Sequence, residues 1–328
     1  MVTYHDIQMA QQRIAPYVHK TPIVSSHLLN QWLGHEIFFK AECLQKIGAF
    51  KIRGATNFIA KLRESGDEVN KVVANSSGNH AQAVALASQI FSIPSEIYAA
   101  QNISPVKANA TKYYGAELHL FDTRLEADAA IQNAAQEEGI VWIPPFNHPD
   151  IIAGQGTATA EALAQISDVD AVFAPCGGGG LLSGSYVATR ALAPNAKVIG
   201  AEPLQANDAA KSRRAGKIIA LDGPAQTLAD GAATPSVGEH TFPIIQQVDD
   251  FYEVDEQGII YWTQWLQHLL KLHVEPTSAL AMDAVVRWLS TQNKKQRVLV
   301  ILSGGNISSS SMHKIWLNDN LNTLPSLN

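Results

Sequence analysis

The chain has 328 residues, 46 % hydrophobic and only 16 % charged, with a formal net charge of −6. That composition fits about two well-buried domains and excludes a disordered chain, a basic nucleic-acid-binding face and a disulfide scaffold, since the cysteines are Cys43 and Cys176 alone. No basic stretch followed by an apolar one opens the chain, and the longest uncharged run, Val72 to Ser95, carries Asn75, Asn79, His80 and Gln82, so neither a signal peptide nor a membrane span is expected. Two lone cysteines suit a reducing cytoplasm.

In chain order, Thr3 placed before Asp6 predicts a capped first helix. Ile37 to Ala41 reads as a strand, and Ile52 to Glu64 as a helix closed by Ser65 and Gly66. An alternation follows: strand Val72–Ala74, alanine-rich helix Gly78–Gln89, strand Glu96–Ala100, helix Pro105–Tyr114, strand Ala116–Phe121, helix Arg124–Glu138 and strand Val141–Ile143. Beyond it come helix Ile151–Gln165, strand Ala171–Ala174 leading into a glycine run and a helix to Ala193, and strand Lys197–Glu202. Helices Gln257–Leu272 and Thr277–Ser290 precede strand Arg297–Leu302. The stretch from Asp222 to Gly238 is expected at the surface, and the last dozen residues as a frayed tail. Strands alternating with helices predict an α/β protein of two doubly wound parallel sheets flanking a cleft. Residues 71–146 would form a small domain set into a large one of residues 1–70 and 147–328.

Common signatures fail. The glycine run does not satisfy GxGxxG, and there is no P-loop, GxSxG, HExxH or zinc-ligand spacing. Four junctions carrying small polar residues remain, and ligands of open α/β sheets bind at the C-terminal ends of strands. Gly177, Gly178, Gly179 and Gly180 offer unobstructed N–H groups at a helix start, suited to a phosphate or else to a tight packing turn. Asn75-Ser76-Ser77-Gly78-Asn79-His80 suits a carboxylate, or an ordinary serine N-cap. Ser303-Gly304-Gly305-Asn306 reads as a turn when taken alone. Lys51, in Phe50-Lys51-Ile52-Arg53, stands at a helix start against the helix dipole, as a Schiff-base nucleophile or a plain surface lysine.

Taken together, these segments resemble the fold-type II pyridoxal-phosphate (PLP) enzymes of tryptophan synthase β-like architecture, in the serine/threonine dehydratase and serine racemase branch. Gly48 to Ala55 is similar to the family's cofactor-lysine motif, Ser76 to His80 to its substrate-carboxylate loop and Ala153-Gly154-Gln155-Gly156-Thr157 to a further signature. Gly177 to Gly180 resembles its phosphate loop, and Ser303 to Asn306 its pyridine-nitrogen segment.

The resemblance implies that Lys51 binds PLP as a Schiff base and moves the substrate's Cα proton, with Phe50 packed on the ring. Gly177 to Gly180 and the amide of Leu181 would hold the phosphate, Asn79 the ring hydroxyl and Ser303 the ring nitrogen. Ser76, Ser77, Asn79 and His80 would take the substrate, and Ser77 would act as the opposite-face acid/base. Glu202, Ala206 and Asp208 fit a racemase-like Glu-Pro-x-x-Ala-x-Asp pattern for Mg²⁺, Mn²⁺ or Ca²⁺. Ala49 and Ile47 replace the family's usual serine and threonine. Val274 to Ser278 resembles the racemase-like Glu-Pro-Thr segment, whereas His80-Ala81 is dehydratase-like, and Arg124 is a candidate substrate or lid residue. No length for a regulatory domain is expected after about residue 315.

The implied function is a cytoplasmic, homodimeric L-serine/L-threonine ammonia-lyase working by β-elimination on a small amino acid, with no nucleic-acid or membrane partner. The alternatives are a serine racemase with side dehydratase activity and a threo-3-hydroxyaspartate dehydratase. A non-catalytic sensor is disfavoured, because lysine and glycine loop are both retained.

Overall fold

The computed structural model describes residues 1–101 and 103–327. Its strands are Ile23–Val24 (β1), Glu36–Ala41 (β2), Lys71–Asn75 (β3), Ser95–Ala100 (β4), Glu117–Phe121 (β5), Ile140–Trp142 (β6), Ala171–Pro175 (β7), Lys197–Pro203 (β8), Asp250–Val254 (β9) and Arg297–Leu302 (β10). They form a six-stranded sheet, β1-β2-β10-β7-β8-β9, and a four-stranded sheet, β5-β4-β3-β6. Every pairing is parallel except β1 on β2. The central strands β7 and β10 are apolar runs rather than alternations, because helices cover both faces of the sheet and leave no polar side.

The helices are Tyr4–Ile14 (α1), His27–Leu33 (α2), Lys51–Ser65 (α3), Asn79–Ile90 (α4), Pro105–Tyr113 (α5), Arg124–Ala134 (α6), Pro149–Leu163 (α7), Gly180–Leu192 (α8), Asp208–Ala215 (α9), Phe242–Ile245 (α10), Glu256–Leu270 (α11), Pro276–Leu289 (α12) and Ser309–Ile315 (α13). The capping box expected at Thr3 and Asp6 is formed. Helix α6 stops four residues short of expectation, at Ala134, because Gln136, Glu137 and Glu138 have no apolar face to dock.

Helix α7 lies between α3 and α8 at a separation only glycine allows. A Cβ on Gly154 would stand 2.6 Å from the Gly54 Cα, and one on Gly184 would stand 2.5 Å from the Gly156 nitrogen. Gln155 Oε1 accepts from the Gly54 amide at 3.1 Å. The Gly154-Gln155-Gly156 signature is thus the surface on which the Lys51 helix is seated.

A buried ionic quartet completes that seating. Arg53 makes two-pronged contacts with Glu42 (2.7 and 2.8 Å) and with Glu161 (both 2.8 Å), and also reaches Thr157 and the His19 carbonyl. Lys40 binds Glu161 and the Thr21 carbonyl, each at 2.8 Å. Two cations face two carboxylates, and the quartet ties β2, α3 and α7 together.

Two expectations are corrected. The stretch from Asp222 to Gly238 is not all surface: Ala229, Ala232 and Val237 are buried, and the turn Asp230–Ala232 reaches the cleft. Its glycines and prolines mark an irregular path, not exposure. The tail is not frayed over its described residues, since Tyr261 and Trp265 both donate to the Thr323 carbonyl and Gln264 Oε1 accepts from the Asn320 amide. The buried indole of Trp265 and the half-buried phenol of Tyr261 need partners for their polar tips, and the tail supplies them.

Candidate active site

Three of the four junctions line one cavity of about 200 Å³: Phe50–Lys51, Asn75–His80 and Ser303. The fourth stands behind its wall. The Phe146 ring packs against Gly178, and Gly177 lies against Gly231–Ala232, with a would-be Cβ 3.0 Å from the Ala232 Cα. Gly179 has φ +92°, in the left-handed region. A side chain at any of these positions would collide with its surroundings. None of the backbone N–H groups from Gly177 to Leu181 has a protein acceptor among the described residues, and α8 has no side-chain cap. A run of unanswered donors at a helix N-terminus is a ready anion site.

Lys51 is the first residue of α3, and its Nζ donates to the Pro145 carbonyl at 2.7 Å. Burial pulls its pKa down to about 8, against a partial offset from Glu275. The helix start is held without a cap, by the Phe50 amide donating to the Ser303 carbonyl at 2.9 Å and by the Arg53 contacts.

The Asn75–His80 loop decides between the two readings of its serines. Neither caps α4: the N-cap is Gly78, and the Ser76 hydroxyl accepts from the Gly78 amide at 3.1 Å. The helix's first amides are therefore left facing the cleft, beside Ser76 and Ser77. His80 is bound to the Ile143 carbonyl at 2.9 Å, and burial pushes its pKa down to about 3. It is a neutral imidazole anchoring the loop rather than an acid.

The model of the pyridoxal-phosphate-dependent enzyme family matches residues 14–304. The chain belongs to that family.

Two relatives extend the likeness across almost the full length. An L-threo-3-hydroxyaspartate ammonia-lyase of Saccharomyces cerevisiae is 43 % identical over 93 % of both chains. A serine racemase of Schizosaccharomyces pombe is 40 % identical over 93 % of this chain and 94 % of its own. The crystal structure of a threonine deaminase from T.th. superposes with a TM-score of 0.87 at 40 % identity, covering 93 % of this chain and 98 % of its own. The two-sheet architecture is that of the fold-type II PLP enzymes.

The residues present fit the cofactor of this PLP enzyme. A lysine amine of lowered pKa and the buried Ser303 hydroxyl face one space, and a run of unpartnered amides suited to a phosphate stands just behind its Phe146 wall. Asn79 is held in a fixed orientation at its edge. Its Nδ2 donates to both oxygens of Glu275 at 3.1 Å, and its Oδ1 accepts from Asn306 Nδ2 at 2.9 Å.

Sequence reasoning missed Glu275, Asp230 and Lys107 as site residues. Glu275 is buried, its pKa raised to about 7 by burial and by the nearby Asp230. Lys107 bridges to Asp230 at 2.5 Å across the cleft. Glu275 lies in the Glu-Pro-Thr segment, but nothing local shows that it reaches Asn79, and no local pattern marks Asp230 or Lys107, since each meets its partners through the fold. Arg124 also lines the cavity, as its position suggested, and its guanidinium has no hydrogen bond among the described residues, only a 3.6 Å approach to Asp128.

Glu202, Ala206 and Asp208 come together at the end of β8, all buried. Both oxygens of Asp208 lack a hydrogen-bond partner, while Glu202 accepts from the amides of Ala209 and Ala210 at 3.1 and 2.7 Å. Burial raises the pKa of Glu202 to about 9 and of Asp208 to about 7. Neither carboxyl group forms a salt bridge among the described residues, and such paired buried oxygens are of the kind that suits a hard divalent cation.

Proposed function

We propose that the enzyme is an ammonia-lyase of 3-hydroxy-L-amino acids, with L-serine and L-threonine as substrates. The observation that carries this reading is the Lys51 amine facing the same cavity as the uncapped N-terminus of α4. A substrate carboxylate held on the first amides of α4 and on Ser76 brings its Cα toward Nζ. When bound through Lys51, PLP supplies an electron sink that makes the Cα proton acidic and the β-hydroxyl a leaving group. Lys51 Nζ takes the Cα proton; with its pKa at about 8, roughly a tenth of the amine is free at pH 7, far more than for an ordinary lysine. The amides of Gly177 to Leu181 hold the phosphate, Asn79 the ring hydroxyl, Ser303 the ring nitrogen, and Phe50 packs on the ring. Loss of water followed by hydrolysis of the released enamine gives a 2-oxo acid and ammonia. The relatives named as threonine deaminase and hydroxyaspartate ammonia-lyase support the lyase reading. Arg124, without a hydrogen bond at the cavity wall, extends it to threo-3-hydroxyaspartate, whose second carboxylate it would pair with.

A second reading, serine racemase, is favoured by Ser77. Its hydroxyl lines the cavity and makes no hydrogen bond among the described residues, leaving it able to deliver a proton from the face opposite Lys51. A proton NMR time course of L-serine in D₂O with the PLP-loaded enzyme separates the two. Pyruvate without D-serine establishes the lyase; Cα-deuterated D-serine establishes the racemase, and Ser77→Ala should then remove D-serine while sparing pyruvate.

The proposal includes a divalent cation, Mg²⁺, Mn²⁺ or Ca²⁺, on Glu202, the Ala206 carbonyl and Asp208, supported by the orphaned Asp208 carboxylate. It also includes closure of the unit of residues 71–146 over the cleft when substrate binds, about the Lys107–Asp230 contact. A cytoplasmic location is supported by the unpaired Cys43 and Cys176. The homodimer rests on the family resemblance, and sedimentation would test it.

A further inference from the structure

Behind Ser303, on the side away from the cavity, stands a second hydroxyl. Ser278, in the first turn of α12, is fully buried, and its Oγ lies 3.0 Å from the Ser303 Oγ. It accepts from the Gly304 amide at 2.7 Å and is within donating distance of the Gly304 carbonyl at 2.8 Å. That carbonyl already accepts from the Glu275 amide at 3.1 Å, so it does not depend on the Ser278 proton. Ser303 has no other side-chain partner among the described residues, and it is the member of the pair that lines the cavity.

We infer that Ser278 is a positioning residue that completes a donor relay, from the Gly304 N–H through the Ser278 hydroxyl to the Ser303 hydroxyl and on to the cofactor's ring nitrogen. The inference rests on the reading that places Ser303 at that nitrogen. With one lone pair of Ser278 taken by the Gly304 N–H and the Gly304 carbonyl already bound by the Glu275 amide, the relay places the Ser278 proton on Ser303. Ser303, accepting from Ser278, is left with its own proton aimed into the cavity. Hydrogen bonds in such a chain polarise one another, which makes Ser303 a stronger donor than an isolated serine. A strong neutral donor binds an unprotonated ring nitrogen. In the alternative arrangement, Ser278 donates to the Gly304 carbonyl and Ser303 to Ser278. Ser303 would then show the cavity only lone pairs and demand a protonated ring. Ser278 therefore sets which protonation state of the ring the site favours.

The test is a double-mutant cycle on the PLP-loaded enzyme with Ser278→Ala, Ser303→Ala and the pair. The readouts are the cofactor's visible absorption maximum, the pH dependence of that maximum, and the PLP dissociation constant by equilibrium dialysis. Each single variant is expected to weaken PLP by about five- to tenfold, the scale of one lost hydrogen bond. Each should displace the absorption maximum in the same direction, and the double variant should be no worse than Ser303→Ala alone. If Ser303→Ala moves spectrum and affinity while Ser278→Ala moves neither, the relay is overturned and the Ser303 reading stands. If Ser303→Ala moves neither, the ring-nitrogen reading itself fails. Effects that add in the double variant also overturn the relay. Should Ser278→Ala fail to fold, Ser278→Cys keeps the shape with a weaker donor and must show the same spectral displacement at smaller amplitude; an unshifted spectrum overturns the proposal.

Discussion

Lys51 and Arg53 stand two residues apart on the first turn of one helix, and their surroundings are opposite. Arg53 spends its guanidinium donors on Glu42, Glu161, Thr157 and the His19 carbonyl, and the carboxylates on either side of it raise its pKa against the pull of burial. Lys51 has one backbone carbonyl, and burial draws its pKa down to about 8. One cation is locked in its charged form; the other is poised to lose its proton. Burial therefore does not by itself mark chemistry. A buried charge whose partners are complete is structural, whereas a buried amine left under-coordinated beside a cavity is reactive. The Glu202–Asp208 pair is a third case, two adjacent buried carboxyl groups whose charged forms burial disfavours.

The comparison is broken most severely at Lys51 itself. Lys51→Ala should lower lyase or racemase turnover by at least about a thousandfold and abolish the Schiff-base absorption band, with the thermal melting of the apoenzyme little changed. Full activity in that variant would end the assignment. At Arg53 the effect should fall on stability instead. Arg53→Met leaves Glu42 and Glu161 buried with one cation fewer, and should cost about 3–5 kcal/mol in urea unfolding. Arg53→Lys retains the charge without the two-pronged geometry and should cost less.

Acidity sharpens the contrast. Burial disfavours the charged ammonium of Lys51, so the free amine predominates above about pH 8. The rate at which apoenzyme captures PLP should rise about tenfold per pH unit below about 8 and level off above it. A rate still climbing to the ordinary lysine range would show that Lys51 is not desolvated as described. The smallest effect is expected at the carboxylate pair. Asp208→Asn should abolish the rise in melting temperature on adding Mg²⁺, while the metal-free variant melts at or above the metal-free parent, since an orphaned buried carboxylate has become neutral. A variant that keeps its Mg²⁺ response would move the cation elsewhere.

The alternating strands and helices around the small sheet were legible because each apolar run is local, and β3 to β6 lie within two residues of their expected bounds. The edge strand β9 and the two-residue β1 were not, because a half-buried or very short strand carries no distinctive run. In the site, Lys51, the Asn75–His80 loop, the glycine run and Ser303 could be read as junctions, since each is a small polar cluster where a strand ends. Glu275, Lys107 and Ser278 could not be read as partners of that site. Glu275 meets Asn79 from 196 residues away in sequence, Lys107 meets Asp230 from 123 and Ser278 meets Ser303 from 25.

By itself the sequence determined the family, the two parallel sheets and the identity of the groups offered at strand ends, because these follow from local periodicity and from short motifs. Only the tertiary structure decided which of those groups are unanswered. It showed that the serines of the Asn75–His80 loop do not cap α4, and that the amides from Gly177 to Leu181 have no protein acceptor among the described residues. It showed that the Asp208 carboxyl oxygens have no hydrogen-bond partner among the described residues and that Arg53 has its partners in place. Hydrogen-bond satisfaction and desolvation depend on what the rest of the chain brings within about 3 Å, a distance at which sequence separation carries no information.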